Sequence, residues 1–266
     1  MSELSIGGAY KNYKDNGEGQ ALLLVHGWIG SGALWDLMLP GLSEHYRVLA
    51  PDLPGHADSG IPEGFAFTLD GFSDFIEELR VASGLESMTL VGHSMGGSIS
   101  IYYAAHHPER VSRLVLVDAI SSTKALGWPV RLPLLEQLLR PYSRLWRKST
   151  YARKIKNSVQ HPESLPPEWL DRAATQASKL RREALLETTH LVRNLDLDEE
   201  VASISVPVLL FHGDHDKSVK LAEAYRLRDM FTDARLHVVP DCGHCPNYEY
   251  PELVNELILE FVGGNV

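Results

Sequence analysis

A mostly parallel α/β sheet flanked by helices, broken once by a long helical insertion, is the fold class this sequence predicts. Two patterns predict it. Short apolar runs alternate with helix-length amphipathic stretches, and strand–helix alternation builds parallel sheets through right-handed crossovers. The alternation then lapses between Asp118 and Val206, where only helical spacing is found. The bulk numbers agree: 266 residues, 44% hydrophobic and 23% charged, suit a soluble globular chain with a sizeable core.

The apolar runs are Ala21–Val25, Arg47–Ala50, Met88–Val91, Leu114–Val117, Val208–Phe211 and Leu236–Val239. They are Leu- or Val-rich and end in Gly, Asp, His or Pro, as strands buried on both faces do. Helices are expected at Ala33–Leu42, Leu69–Ser83, Met95–His107, Leu221–Met230 and Pro251–Val262. In the insertion, Leu132, Leu135, Leu138, Leu139, Tyr142 and Leu145 give Trp128–Trp146 a helical face, which Pro141 should bend or stop. Further helices are expected at Pro166–Ala177 and Lys179–Arg193. Residues 1–120 and 200–266 then form the core, and 121–199 a helical cap over the C-terminal edge of the strands, where open α/β sheets bind ligands.

The formal charge of −10 repels phosphate backbones and argues against nucleic-acid binding. No apolar run is long enough to span a bilayer. Met1–Gln20 is polar and Gly-rich and does not read as a signal peptide. The simplest location is the cytoplasm. Cys242 and Cys245, the only cysteines, form a lone C-x-x-C. No second pair completes a zinc site, and the pair lies too late in the chain for a thioredoxin-like motif, so two small loop residues are expected. No cofactor or metal is expected, although His212, Asp214, His215 and Asp216 crowd together, because nothing nearby completes a ligand set.

The sharpest chemical signal is Gly92-His93-Ser94-Met95-Gly96, set between an apolar run and a helix. A serine on so tight a strand-to-helix turn is strained, and Gly92 and Gly96 supply the small neighbours it needs. The turn puts Ser94 at the positive end of the following helix. A serine hydroxyl needs a base. Of twelve histidines, His244 follows the last strand run in a loop that overhangs the same edge as Ser94. The base needs an acceptor that fixes its tautomer. Asp216, deep in the loop after Val208–Phe211, suits this role; Asp118, at the end of Leu114–Val117, is a rival, and Asp214 reads as a turn residue. The oxyanion donors expected are the amide of Met95 and that of Trp28, in the Gly-rich loop His26-Gly27-Trp28-Ile29-Gly30. Losing one such donor costs about 3 kcal/mol of transition-state stabilisation. His26 itself reads as structural.

With these residues in view, the chain resembles the α/β-hydrolase superfamily, in its serine carboxylesterase-like form. His26-Gly27-Trp28, Pro51-Asp52-Leu53-Pro54-Gly55-His56, Gly92–Gly97, His107–Val111, Gly213-x-x-Asp216 and Gly243-His244 carry the resemblance, in the order Ser, Asp, His. It implies about eight strands, a cap after the sixth strand, ester-type substrates and a structural Asp52. A serine nucleophile sets the chain apart from the dehalogenase and epoxide-hydrolase branches, which use an aspartate. The turn His56-Ala57-Asp58-Ser59 departs from the usual pattern and is expected near the pocket.

The expected substrate is a small acyl ester; the alternatives left open are the same three residues acting on a thioester, lactone, amide or carbon–carbon bond, and a slow-turnover small-molecule receptor with this fold. Between Arg131 and Lys156 lie Arg131, Arg140, Arg144, Arg147, Lys148, Arg153, Lys154 and Lys156, opposed only by Glu136. This basic block on the cap would attract an anionic substrate, an acyl-carrier protein or a membrane surface. Trp128, Trp146 and Trp169 suggest an aromatic-lined cap.

Overall fold

The computed structural model of the chain describes residues 2–6, 9–126 and 147–264. Among them, β1 (Ser2–Ile6), β2 (Ala9–Asn16), β3 (Ala21–Val25), β4 (Arg47–Pro51), β5 (Met88–His93), β6 (Val111–Val117), β7 (Val208–Gly213) and β8 (Ala234–Val239) form one sheet. Its order is β1-β2-β4-β3-β5-β6-β7-β8. β2 runs antiparallel to both β1 and β4, and the other pairs are parallel. The helices are α1 (Leu39–Ser43), α2 (Leu69–Ala82), α3 (Met95–His106), α4 (Lys148–Ser158), α5 (Pro167–Ala177), α6 (Arg182–Arg193), α7 (Asp198–Ser203), α8 (Leu221–Met230), α9 (Pro246–Glu249) and α10 (Pro251–Gly263).

The central strands are buried on both faces, and alternate residues serve opposite cores. In β3, Leu23 and Val25 pack with Phe72, Ile76 and Ile99 of α2 and α3, whereas Leu22 and Leu24 pack with Trp35, Leu42 and Ile258. β6 repeats this, with Leu114 and Leu116 on the first face and Val115 and Val117 on the second. Each buried side chain of this kind contributes about 1.5–3 kcal/mol. In α2, Phe72, Phe75, Ile76 and Leu79 form the buried stripe, and the Thr68 side chain caps the first turn by accepting from the Gly71 amide. α3 is buried nearly all round, wedged between the sheet, α2 and α7.

Among the described residues, four helices, α4 to α7, lie between β6 and β7. A third core seats the first two on the sheet: Tyr151, Ile155, Trp169 and Ala173 pack on Ile29, Leu34 and Tyr248 from the edge loops. The Trp169 indole donates to the Ala33 carbonyl at 3.1 Å, so this tryptophan anchors the insertion rather than lining a cavity. Lys179 pairs with Asp58 at 2.7 Å, and the Arg181 amide donates to the Gly55 carbonyl at 2.9 Å. The atypical turn at His56–Ser59 therefore tethers the insertion and is not among the residues lining the pocket described below. Trp128–Trp146, with Arg131, Glu136, Arg140 and Arg144, falls outside the described residues.

Three elements differ from the sequence pattern. β1 and β2 arise in the polar N-terminal stretch, because an antiparallel edge hairpin does not need the continuous apolar run that marks the inner strands. The helix expected at Ala33–Leu42 splits into a 3₁₀ turn, Gly32–Trp35, and α1. Pro40, in the first turn of α1, has no amide to continue a helix through that point. The short helices α7 and α9 carry too few residues to show a period.

Leu23, fully buried in β3, is the measure of this core. Leu23→Ala should lower unfolding stability by about 3 kcal/mol, read from denaturant midpoints; a loss under about 1 kcal/mol would show that the central strand is not tightly packed.

Candidate active site

The register of the sheet assembles the site. β3 pairs with β5 so that Val25 lies beside Gly92, and the loops that follow these strands start side by side. Next along the edge, His93 pairs with Val117, Val117 with Phe211, and Gly213 with Val239. Chain order reverses at β3, whose neighbours are β4 on one side and β5 on the other. A crevice opens beyond the strand ends at such a switch point.

Ser94 occupies the turn between β5 and α3, with φ 53° and ψ −119°. A left-handed backbone is costly for a serine and persists only where the surroundings enforce it. Here the Ser94 amide donates to the Val117 carbonyl at 2.9 Å, and the Ser94 carbonyl accepts from Gly97 and Ser98 in the first turn of α3. The helix can come this close only without side chains at two positions. A Cβ on Gly96 would collide with the Val25 and His26 carbonyls, and one on Gly92 would lie 2.5 Å from the Gly96 carbonyl. The Met95 amide thus sits at the N-terminal end of a twelve-residue helix, where the dipole favours negative charge.

The loop after β3 folds over Ser94. The Gly30 amide donates to the Gly27 carbonyl at 3.0 Å, Ile29 takes φ 64°, and a Cβ on Gly27 would lie 3.0 Å from that of Ser94. His26 is structural: its Nδ1 donates to the Gly27 carbonyl at 2.9 Å and its Nε2 accepts from the Leu53 amide at 3.0 Å. Asp52 holds the same loop by accepting from the Gly32 amide at 2.8 Å.

His244 bridges the two remaining groups. Its Nε2 lies 3.0 Å from Ser94 Oγ and its Nδ1 2.7 Å from Asp216 Oδ2. The geometry brings Asp216, not Asp118, to the imidazole. Asp216 Oδ1 also accepts from the amides of Ser218 (2.7 Å) and Val219 (3.1 Å). Burial works to raise the Asp216 carboxyl, but the charge of His244 and its hydrogen bond hold it below the usual value. Asp214 accepts from the Cys242 amide at 3.3 Å, a bridge between the two loops.

Several neighbours are silent in the sequence. His93, at the variable position of the serine turn, donates from Nε2 to the His244 carbonyl at 2.9 Å, with ring centroids 4.9 Å apart. Burial, then the proximity of His244, pushes the His93 imidazole down to about 3, so it steadies the loop as a neutral ring. Glu249 holds the same loop from below, accepting from the Gly243 amide at 2.8 Å. No local pattern marks Glu249, because its partners come from other elements. Asp118, with φ 44° and no exposed surface, accepts from the Gly213 amide at 3.1 Å and faces His212 at 3.4 Å. Asp118, His212 and Asp216 have ligand-type atoms within 4.8 Å of one another. His212 Nε2 donates to the Val219 carbonyl at 3.2 Å, and Asp216 is committed to His244 and two amides. Cys242 and Cys245 are both free and buried, and burial pushes both thiols up. Neither is therefore a thiolate competitor for Ser94.

Over Ser94 and His244 opens a cavity of about 360 Å³. Trp28 and Ile29 form one wall, Tyr151 and Ile155 of α4 another, and Val219 part of a third. The cavity thus lies between the sheet edge and the insertion.

Burial, then the charge of Asp216, pushes the Asp118 carboxyl well above the usual range. Folded Asp118 keeps its proton where the unfolded chain has lost it, so its contribution to stability fades as pH rises above about 4. Asp118→Asn has no proton to lose. Its melting temperature relative to the parent should climb between about pH 4 and 7; a gap that is constant or shrinks would contradict the neutral state.

The family model for the alpha/beta hydrolase fold matches residues 20–251. The chain is 26% identical over 270 residues to the 2-hydroxy-6-oxo-2,4-heptadienoate hydrolase of Pseudomonas putida, covering 95% of this chain and 94% of that one. It is 28% identical over 244 residues to the pimeloyl-(acyl-carrier protein) methyl ester esterase of Nitrosomonas europaea, covering 89% and 93%. Among solved structures, a meta-cleavage product hydrolase from Pseudomonas fluorescens is 27% identical with TM-score 0.83, covering 99% of this chain and 97% of that one. An esterase from Exiguobacterium antarcticum shares the fold with TM-score 0.85 at 21% identity, covering 98% of each. No helix among the described residues is long and apolar enough to cross a membrane. Matched over most of its length, with a serine turn and a mostly parallel sheet, this chain is a member of the alpha/beta hydrolase fold family.

Proposed function

We propose that the chain is a serine hydrolase that cleaves carboxylic esters through an acyl-enzyme on Ser94. The observation that carries this reading is the unbroken relay from Ser94 Oγ to His244 Nε2 at 3.0 Å and from His244 Nδ1 to Asp216 at 2.7 Å. His244 takes the Ser94 proton as the hydroxyl oxygen attacks the ester carbonyl carbon. The tetrahedral oxyanion rests on the amides of Met95 and Trp28. Collapse breaks the bond to the alcohol oxygen, which leaves with the proton from His244. Water, deprotonated by His244, then attacks the acyl-enzyme and frees the acid and Ser94. Asp216, ionised and buried, keeps the His244 proton on Nδ1 and stabilises the imidazolium of each transition state. In this reading α4 to α6 serve as a cap, and residues 121–199 form it.

A second reading keeps the same three residues but places the scissile bond in a 2-hydroxy-6-oxo-dienoate. The resemblance to the Pseudomonas hydrolases, over nearly the whole chain, favours it. A panel of p-nitrophenyl esters set beside such a dienoate separates the two by kcat/KM.

A serine-reactive phosphonate should abolish ester turnover with one label per chain, on Ser94. Ser94→Ala should lower kcat by at least about a thousandfold with an unchanged melting temperature. Label elsewhere, or a rate within about tenfold of the parent, overturns the assignment. Asp216→Asn should lower kcat by about a thousandfold or more, because the wrong tautomer of His244 is then favoured; a loss under about tenfold would pass the orienting role to another group.

A further inference from the structure

His244 is held by its main chain as well as by its ring. Its amide donates at 2.7 Å to the carbonyl of Ser158, the last residue of α4. A Cβ on Gly243 would lie 2.4 Å from that same carbonyl and 2.8 Å from Val159 Cα, so the two segments pass backbone to backbone. Val159 is buried in the third core, which fixes this end of the insertion. Side chains fasten the same seam. Ser158 Oγ donates to the Ile155 carbonyl at 2.7 Å, which leaves it to accept from the Tyr248 hydroxyl at 2.9 Å. Further along, His161 Nε2 and Asp241 Oδ2 meet at 2.8 Å.

Glu249 stands where these contacts converge. It ends α9, and its two carboxylate oxygens face different segments. Oε1 accepts from the Gly243 amide at 2.8 Å and from the Cys242 thiol at 3.4 Å. Oε2 accepts from the Gln160 amide at 2.7 Å. An ionised carboxylate has acceptor sites for all three donors, and bonds from amides to a charged oxygen are the stronger kind. One side chain therefore fixes both the loop that carries His244 and the segment that leaves α4.

We propose that Glu249 is a positioning residue that ties the placement of His244 to the seating of the inserted helices. Its effect on rate rests on the reading of His244 as the base of Ser94; the tie between the two segments does not. In this arrangement α4 is not a lid free to swing over the cavity, because moving its C-terminal end pulls on the His244 amide. A misplacement of about 1 Å at a reacting group can cost about a hundredfold in rate. Tyr151, Ile155 and Ser158 of α4 line the cavity, so a ligand that reseats the helix acts on the base as well as on the fit.

The test breaks the tie from its far end. Gln160→Pro deletes the amide that Glu249 Oε2 accepts, and Val159, with φ −107° and ψ 161°, already has the backbone that precedes a proline. Glu249→Gln leaves one carbonyl oxygen where two oxygens had accepted. The readout is the second-order rate of inactivation by a serine-reactive phosphonate, which does not depend on the identity of the scissile bond. Each variant should slow it by about tenfold or more. The double variant should stay within about threefold of Glu249→Gln alone, because both changes break the same bond. A Gln160→Pro rate within about twofold of the parent, or a double variant slowed by the full product of the two, overturns the tie. Proton NMR gives the independent reading. The downfield Nδ1 proton of His244, identified by its loss in Asp216→Asn, should move or broaden in both variants; a resonance unchanged in either overturns the tie. Should the parent resist the phosphonate, the nucleophile reading falls and the resonance still decides the role of Glu249.

Discussion

The pairing of Val25 with Gly92 across two parallel strands is the contact on which the rest of the site is built. It sets the loop after β3 against the turn after β5, and it forces α3 so close to the strand ends that only glycine fits at 92 and 96. The left-handed backbone of Ser94 is then held by hydrogen bonds on both sides, from β6 and from its own helix. Strain of this kind persists because the packed strands leave the turn no other path.

The same edge gathers an unusual density of buried titratable groups. Asp118, Asp216, His93, His212 and His244 all lie within the reach of a few side chains. Burial suppresses charge on most of them. His93 and His212 are shifted toward the neutral ring, and Asp118 toward the protonated acid. Asp216 alone is held ionised, by His244 and two backbone amides. A single buried negative charge aimed at one imidazole is the electrostatic form a general base needs, since a second charge nearby would compete for the same proton.

The sheet edge gathers Ser94, His244 and Asp216, and the inserted helices pack over it. α4 and α5 rest on Ile29, Leu34 and Tyr248, in the segments that follow β3 and β8 at the sheet edge. The insertion and the loop after β3 therefore share a packing surface, and Trp28 packs against it. Its ring centre lies 5.0 Å from Lys154 Nζ on α4.

Much of this was legible in the chain itself. Continuous apolar runs marked the inner strands, because burial on both faces demands them. The glycines around Ser94, and the place of His244 after the last run, pointed to the same edge, because parallel strands deliver their C-terminal loops to one side. The edge hairpin β1–β2 escaped this logic, since its sequence is polar and an antiparallel edge pair does not require a continuous apolar run. Tertiary structure decided the rest. Asp216 and Asp118 both end parallel strands, and only the path of the 214–219 loop brings one of them to His244. Lys154 was one of eight basic residues in a block, and only the seating of α4 on the loop after β3 placed it in the wall of the cavity. Sequence sets which residues can reach the edge, through periodicity and turn chemistry; which of them meet is a matter of packing between segments distant in the chain.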